Sequence, residues 1–386
     1  MKLLFVTWDG PQVSYLESLF LPIFAGLTAQ GVHTDVLQFR WGSDAQEDAV
    51  QTAARASGCG YRAAPVLRRG GAAGALLTAV AGGRLVRSAA RAFGSDLLLP
   101  RSLLPAVAVL SSRSPLPVLF DSDGLLADEK VEFGGLSATS PAYRLLRLIE
   151  RQMVRRSAGV LARTAAGARV LRERSGMDTS HFHLVTNGRD PALFHAGTEA
   201  NRREVRQRLG IPPAAPLLVY AGSAGPQYRF DRAAAVALAL RRCRPDARLL
   251  LLSGEADLAR RALGTKAAAM TTFATVPASE VPALLAAADV GLSFRQPSFS
   301  MAAVAPIKIA EYLLCGLPVI GNAAIGRNEA AVKAGLLRDD DGDDQALVSF
   351  VLDVVADRDR FRKEARALGE AEHSLARSIA DYRAAP

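Results

Sequence analysis

The feature that most limits the fold of this chain is an alternation of short apolar runs with amphipathic stretches. In the first half, apolar runs at residues 3–7, 33–39, 96–99, 116–120 and 159–162 alternate with stretches whose apolar residues recur at helical spacing. Strands that lie in a parallel sheet covered by helices on both faces have this pattern. We therefore predict that the first half is an α/β domain with a parallel sheet.

The alternation stops near residue 196 and then restarts. The segment 194–199 is short and polar, a small charged helix follows at 202–209, and Pro212-Pro213 ends that helix. Strands are predicted again at 217–220, 249–253, 290–294 and 319–321. The sequence therefore predicts domains over 1–195 and 196–364, followed by a terminal helix within 365–386 that crosses back to the first domain.

Composition excludes several classes of protein. Hydrophobic residues make up 49% and charged residues 22%, which is globular rather than disordered. No apolar run approaches the ~20 residues of a membrane-spanning helix, and the first run is too short for a signal peptide. The three cysteines, Cys59, Cys243 and Cys315, have no metal-binding or redox spacing. We expect a cytoplasmic protein.

The net charge of +9 is unevenly distributed. Residues 55–113 contain nine arginines and one acid, Asp96. Aromatic residues are 6% and do not interleave with a basic run, so nucleic acid is not an expected partner. Two explanations stay open for the arginines around residues 68–91, where Leu76, Leu77 and Val80 share a helical face. Either they reflect compositional bias, with Leu76, Leu77 and Val80 packed in the core, or they form a basic face for an anionic acceptor or for reversible docking on the anionic inner face of the cytoplasmic membrane.

The segment 305–320, APIKIAEYLLCGLPVI, has the most informative pattern of residue types. Pro306 favours the start of a helix, and helical spacing brings Lys308 and Glu311 to neighbouring positions near that start. Gly316 and Pro318 end the helix before the next strand. A helix N-terminus beside a lysine is suited to binding a diphosphate, although a surface Lys–Glu pair would have the same spacing.

This segment resembles the donor-site signature of glycosyltransferase family 4, which has proline, lysine, glutamate and a final Gly-x-Pro-Val-Ile at the same spacing. Other stretches resemble landmarks of that family in the same order. They include the strand and glycine loop at 218–225, the strand ending in glycine at 250–254, and the segments 100–102, 120–124 and 185–194. The resemblance covers residues 1–365.

The resemblance implies a GT-B fold, in which two Rossmann-like domains face each other across a cleft. It also implies transfer of a sugar from a nucleotide-sugar donor, with retention of configuration and without a metal or cofactor. Glu311 would bind the donor ribose, and Lys308 and Arg229 would act in catalysis by stabilising charge on the leaving diphosphate. The other implied donor-binding residues are Gly222, Ser223, Gly225, Gln227, Gly254 and Pro306.

The same resemblance places the acceptor on the first domain, near Gly10, Arg101, Asp121 and Asp123. The implied acceptor is a growing surface polysaccharide or a lipid-linked saccharide. The chain departs from the family pattern at Ala303, eight residues before Glu311, where members often carry a second glutamate. It also has Ser223 and Tyr228 where members often carry the arginine and lysine of the glycine loop, and Asp123 where members often have arginine.

These departures keep two alternatives open. The chain could be a nucleotide-binding GT-B relative without catalytic activity, or a GT-B sugar-nucleotide epimerase. No metal site is expected: the acidic run 339–344 lacks the ligand spacing of a calcium loop, and Asp343 or Asp344 is instead predicted to cap the next helix. His181, His183 and His195 lack the cysteine or acid support of a zinc site.

Overall fold

The computed structural model describes residues 1–10 and 15–385, and these form two compact units. The first unit contains residues 1–186, 302–304 and 375–386, and the second contains 187–301 and 305–374. Both are α/β units whose strands pair in parallel.

In the described part of the first unit there are seven short parallel strands. Four of them form a sheet of order β3-β2-β1-β4, and three form a sheet of order β5-β6-β7. Single bridges from Leu98 to Val118 and from Arg101 to Asp121 connect β4 to β5. The strands are β1 Lys2–Asp9, β2 His33–Arg40, β3 Tyr61–Pro65, β4 Leu97–Pro100, β5 Leu119–Asp121, β6 Gly159–Ala162 and β7 Phe182–Leu184.

Helices cover the two sheets because each helix presents an apolar face to the strands. The fully buried residues include Leu4, Leu37, Phe39 and Phe120 on strands and Val86 on a helix. A π-helical turn at Leu16–Phe20 leads into α1. The helices are α1 Leu21–Thr28, α2 Asp44–Ala56, α3 Gly71–Ala81, α4 Gly83–Phe93, α5 Leu103–Ser112, α6 Leu126–Glu132, α7 Pro141–Arg156 and α8 Ala165–Ser175. The apolar spacing of residues 14–30 predicts one helix; the structure has the π-helical turn and α1 there, from Leu16 to Thr28, and Ser14 lies outside the described residues.

The second unit has one six-stranded parallel sheet of order β10-β9-β8-β11-β12-β13. The order reverses direction between β8 and β11, which is the kind of position where α/β sheets bind ligands. The strands are β8 Leu217–Ala221, β9 Arg248–Leu252, β10 Thr271–Ala274, β11 Val290–Ser293, β12 Val319–Gly321 and β13 Leu337–Asp339.

The helices of the second unit are α9 Glu199–Arg208, α10 Phe230–Cys243, α11 Ala256–Ala268, α12 Val281–Ala286, α13 Ile307–Leu314, α14 Glu329–Lys333, α15 Asp344–Ala356 and α16 Arg358–His373. The last helix, α17 Leu375–Ala384, belongs to the first unit. Asp343 caps α15 as predicted, because its Oδ1 accepts hydrogen bonds from the amides of Gln345 and Ala346 at 2.9 and 3.1 Å.

The units divide at Thr186/Asn187, before the expected boundary at 195/196. Residues 187–195 join the second unit because Phe194 is buried in its apolar core. The return to the first unit comes at Leu375 rather than 365. Helix α16 stays with the second unit, where Gly369 lies so close to α13 that a Cβ would be 2.7 Å from the Leu314 nitrogen.

Candidate functional site

The glycine loop of the second unit begins where β8 ends. Gly222 has φ of +135°, and a Cβ at this position would lie 3.1 Å from the Lys308 Nζ. A residue with a side chain would therefore be strained and would crowd the lysine. The Gly222 amide donates to the Leu252 carbonyl at 2.9 Å, so the loop is fixed to the neighbouring strand β9.

Lys308 and Arg295 lie over the same aromatic side chain and form what we call the cationic cluster. The Lys308 Nζ is 3.7 Å from the centroid of the Tyr220 ring and 5.0 Å from that of Tyr228. The Arg295 guanidinium is 4.9 Å from the Tyr228 centroid. Such contacts partly offset the desolvation of a cation, although they do not replace hydrogen bonds.

The cationic cluster has unsatisfied donors. Lys308 Nζ and Arg295 Nε are buried and have no hydrogen-bond partner among the residues that the structure describes. Burial lowers the pKa of the Lys308 ammonium well below its ordinary value, and Arg295 lowers it further. A buried unpaired cation is costly, so the arrangement is suited to an anionic ligand that would pair with both donors.

Glu311 lies one helical turn after Lys308 on α13 and is paired with Arg189. The Arg189 Nε is 3.0 Å from the Glu311 Oε1, and the side chains are 9% and 16% exposed. Burial raises the pKa of the Glu311 carboxyl, whereas Arg189 and Lys308 act in the opposite direction. Glu311, which we predict to bind the ribose, is thus in a charged environment beside Lys308, which we predict to bind the diphosphate.

Tyr312 explains why α13 holds these two side chains at the sheet edge. Its buried hydroxyl accepts from the Ala221 amide at 2.9 Å and donates to the Leu292 carbonyl at 3.2 Å. A Cβ at Gly291 would be 2.3 Å from the Tyr312 ring, so glycine is required for this packing. These contacts fix α13 against β8 and β11, which flank the point where the strand order reverses.

Arg229 is not part of the cationic cluster, contrary to our expectation from the sequence. Its Nε and Nη2 bond the Asp231 carboxylate at 2.8 and 2.6 Å, and its side chain is 33% exposed. Its charge is therefore already paired at the start of α10. Arg295, at the end of β11, takes the position beside Lys308 that we assigned to Arg229.

The remaining predicted donor residues lie in the same unit. Pro306 directly precedes α13. The Ser223 carbonyl accepts from the Tyr220 hydroxyl at 2.6 Å, and a Cβ at Gly225 would be 2.7 Å from the Gln227 Oε1. Gly254 follows β9 and faces open space. The loops after β8 and β9 thus bring Gly222, Ser223, Gly225, Gln227 and Gly254 to one edge of the sheet.

The predicted acceptor residues lie at the carboxyl ends of strands β1, β4 and β5 in the first unit, but Asp121 has a different role from the others. Its fully buried carboxylate accepts from Arg163 at 2.6 Å and from Arg101 at 3.2 Å. Asp121 therefore holds the Arg101 side chain in position and is not available to a ligand. Gly10, Arg101 and Asp123 line a cavity of about 640 Å³ in this unit.

Ala303, at the position of the second glutamate in the family pattern, belongs to the first unit. It is 2% exposed, and a Cβ on Gly167 would come within 2.8 Å of the Ala303 Cβ. A glutamate in this apolar contact would need both space and a partner. Alanine therefore fits the local packing.

The segment 68–91 contains α3 and most of α4, which are separated at Gly82. Leu77 on α3 is 63% exposed and Val80 is 51% exposed, whereas Leu76 packs against the apolar core. Arg84 and Arg87 on α4 are also exposed. Within residues 1–10 and 15–385, no helix is long and apolar enough to cross a bilayer. In the same residues no group of three His, Cys, Asp or Glu side chains could hold a metal ion.

Comparison with known proteins finds a family match that lies largely within the second unit. Residues 215–357 match the family described as "Glycosyl transferases group 1". Two relatives are both named D-inositol 3-phosphate glycosyltransferase. The one from Jonesia denitrificans is 30% identical over 223 residues, which are 52% of this chain and 49% of the relative. The one from Thermomonospora curvata is 31% identical over 254 residues, 61% of this chain and 56% of the relative. The matches therefore span about half the length of these relatives.

The fold is similar along the whole chain to that of Anabaena Alr3699/HepE, whose crystal structure contains UDP-glucose. The TM-score is 0.69 with 19% identity, and 100% of each chain is covered. The two α/β units are thus the Rossmann-like domains of a GT-B glycosyltransferase fold. Together with the family match and the two relatives, this fold supports the resemblance to glycosyltransferase family 4 seen in the sequence.

Proposed function

We propose that this protein transfers a sugar from a nucleotide-sugar donor to a saccharide or lipid-linked saccharide acceptor, with retention of configuration. The observation that carries the proposal is the cationic cluster beside Glu311. Lys308 and Arg295 offer buried, unpaired donors to a diphosphate, and Gly222 leaves room for its close approach. Glu311 on the same helix can accept hydrogen bonds from ribose hydroxyls.

The proposed chemistry is electrostatic. As the sugar–phosphate bond breaks, negative charge grows on the leaving diphosphate, and Lys308 and Arg295 stabilise it. Because the cluster supplies positive charge from side chains, we propose that transfer needs no metal ion. No covalent step on the protein is proposed.

We also propose that the first unit docks reversibly on an anionic membrane surface through the exposed side of α3 and α4. Leu77 and Val80 would enter the interface, and Arg84, Arg87 and Arg91 would pair with lipid headgroups. Such docking would bring the enzyme to the anionic inner face of the cytoplasmic membrane.

Isothermal calorimetry with UDP, GDP and ADP, followed by single-turnover hydrolysis of the matching nucleotide-sugars in the presence of EDTA, tests the donor proposal. We expect one diphosphate to bind and its sugar derivative to be cleaved slowly by water, with retention at the anomeric carbon. A nucleotide that binds without any cleavage would favour the non-catalytic relative. Conversion of the sugar without cleavage would favour the epimerase.

A further inference from the structure

The cavity at the carboxyl edge of the first sheet contains both tryptophans of the protein. It measures about 640 Å³, and its walls include Trp8, Asp9, Trp41, Arg68, Arg101 and Asp123. These side chains end or follow strands β1 to β5, and parallel sheets present their binding groups at such strand ends. The volume falls in the usual range for small-molecule sites.

The two tryptophans are held in place and partly exposed. Trp8 stacks on Phe39 from the neighbouring strand, with ring centroids 5.2 Å apart and an interplanar angle of 19°. Trp41 lies against Gly10, where a Cβ would approach its ring to 2.7 Å. Indole rings in a cavity wall supply a flat apolar surface that does not need to be ordered on binding.

Asp9 presents an oriented acceptor beside these rings. Its Oδ2 accepts from Thr7 Oγ1 and from Gln38 Nε2, each at 2.9 Å. Its Oδ1 accepts no hydrogen bond from any residue that the structure describes. One carboxylate oxygen is therefore fixed by the fold while the other is available to a ligand hydroxyl.

Backbone strain occurs in the same wall. Ser102 has φ of +70° with ψ of −178°, and Asp123 has φ of +54°. Non-glycine residues rarely take such values, which cost roughly 1–3 kcal/mol each and cluster at ligand sites. The surrounding contacts hold Asp123 there, since its Oδ1 accepts from the Arg101 Nη2 at 2.6 Å.

The charges in the cavity favour an uncharged ligand. Both terminal nitrogens of Arg101 are occupied, one by Asp121 at 3.2 Å and the other by Asp123. Arg68 is exposed and lies over the Trp41 ring at 5.6 Å. Among the described residues that line the cavity, no buried cation lacks a hydrogen-bond partner, unlike the cationic cluster of the second unit.

From these features we infer that the cavity binds an uncharged sugar ring, with its apolar face against the tryptophans and its hydroxyls bonded to Asp9 and Asp123. The inference rests on the proposed function, because this ring would be the acceptor. It goes further in naming the part of the acceptor that the protein recognises: a neutral glycosyl unit rather than a phosphate group.

Tryptophan fluorescence gives a direct test, because both tryptophans of the protein line the cavity. The protein is titrated, without nucleotide, with the methyl pyranosides of glucose, mannose, galactose and N-acetylglucosamine, and separately with inositol 3-phosphate and inorganic phosphate. We expect a saturable emission change with at least one neutral glycoside. The same glycoside should show saturation-transfer NMR signals from one face of its ring.

Variants locate the binding. Trp41→Ala and Asp9→Asn should each lower the affinity for the glycoside, measured by NMR titration, about tenfold or more. Trp41→Phe should retain part of this affinity. Leu258→Ala, an exposed position in the second unit, is the matched control and should change nothing. UDP, GDP or ADP affinity should be unaltered in all four variants, and thermal unfolding checks that they fold.

Several results would overturn the inference. They are the absence of binding by every neutral glycoside, stronger binding of inositol 3-phosphate than of the glycosides, or unchanged glycoside binding in both Trp41→Ala and Asp9→Asn. If nucleotide binding is intact in those experiments, the donor proposal survives. Failure of that proposal would instead appear as loss of nucleotide binding in the unmodified protein.

Discussion

Arg189 and Glu311 are 122 positions apart in the chain, yet the arginine Nε lies 3.0 Å from the glutamate Oε1. The Arg189 guanidinium also lies over the Phe194 ring at 4.7 Å, and its amide donates to the His373 carbonyl at 2.9 Å. Arg189 is therefore fixed on three sides, and it holds the carboxylate that we propose to bind the donor ribose.

Replacing Glu311 tests that role directly. A charge-assisted hydrogen bond is worth roughly 1.5–3 kcal/mol, so Glu311→Ala should weaken nucleotide diphosphate binding about tenfold or more. Calorimetry measures the dissociation constant, and thermal unfolding confirms that the variant folds. Glu329→Ala, on a neighbouring helix of the same unit, is the control. Unchanged affinity in a folded Glu311→Ala protein would remove this residue from the site.

Arg189 should act through the pKa of Glu311. Burial raises this pKa and Arg189 opposes the rise, so Arg189→Gln should raise it further. Because the ionised carboxylate is the better acceptor for ribose hydroxyls, nucleotide affinity falls as pH falls through the pKa of Glu311. The fall should begin at a higher pH in Arg189→Gln, while Arg189→Lys should stay close to the unmodified protein. Affinity measured from pH 5 to pH 8 provides the test, and superimposable profiles would contradict it.

Nucleotide binding should be accompanied by proton uptake at Lys308. The pKa of this ammonium is lowered by burial and by Arg295, and a diphosphate would raise it again. Between the free and bound pKa values, affinity should fall by about tenfold for each unit of rising pH. Calorimetry in buffers of different ionisation enthalpy measures the uptake.

Lys308→Arg is the matched control for this prediction, because it keeps the positive charge but does not titrate in this range. It should bind nucleotide without taking up a proton. Equal uptake in Lys308→Arg and in the unmodified protein would show that the proton goes elsewhere.

Membrane docking should depend on the arginines of α4. Each basic residue near anionic lipid contributes about 1 kcal/mol, so reversing Arg84, Arg87 and Arg91 to Glu should abolish flotation with anionic vesicles. High salt should release the unmodified protein, since it screens surface charge. Reversing Arg203, Arg208 and Arg242 in the second unit makes the same change in net charge and should leave flotation intact. Equal flotation with neutral vesicles would reject docking by charge.

Asp289 should be important for the stability of the second unit. Its buried carboxylate accepts from Arg202 at 2.7 Å, Arg206 and Arg358 at 2.9 Å and the Leu217 amide at 2.8 Å. Asp289→Asn leaves these arginines without a counter-charge, and we expect a loss of roughly 3–5 kcal/mol in the free energy of unfolding. Asp246→Asn, which breaks the exposed pair with Arg244, should cost about 0–1 kcal/mol. Denaturant unfolding measures the free energy of unfolding of both variants and of the unmodified protein.

Strands and helices with strong apolar periodicity were predictable from the sequence, and weakly patterned ones were not. Strand β3 was missed because Tyr61–Pro65 lies at the sheet edge and carries mostly polar or small residues. Helix α2 was missed as well, although Ser43 and Gln46 form a capping box that marks its start. A search for capping residues would have found it.

The candidate site was predictable where it depended on local spacing. Lys308 and Glu311 could be proposed because both lie on one helix within one turn. Arg295 and Arg189 could not, since their roles depend on which strand end or loop the fold brings to α13. The error at Arg229 has the same cause: an acid two positions later, Asp231, pairs with it. Local sequence favoured Arg229, whereas the tertiary contacts favour Arg295.

Helix α17 sets the order in which a ribosome can complete this protein. The Asp381 carboxylate binds the Thr186 amide and hydroxyl at 3.0 and 2.6 Å, the Tyr382 hydroxyl accepts from Arg163 at 3.1 Å, and Gly26 makes room for Ile379. These contacts close the first unit with residues that are synthesised after the second unit. The nascent first unit must therefore wait, with part of its surface uncovered, until the whole second unit has emerged.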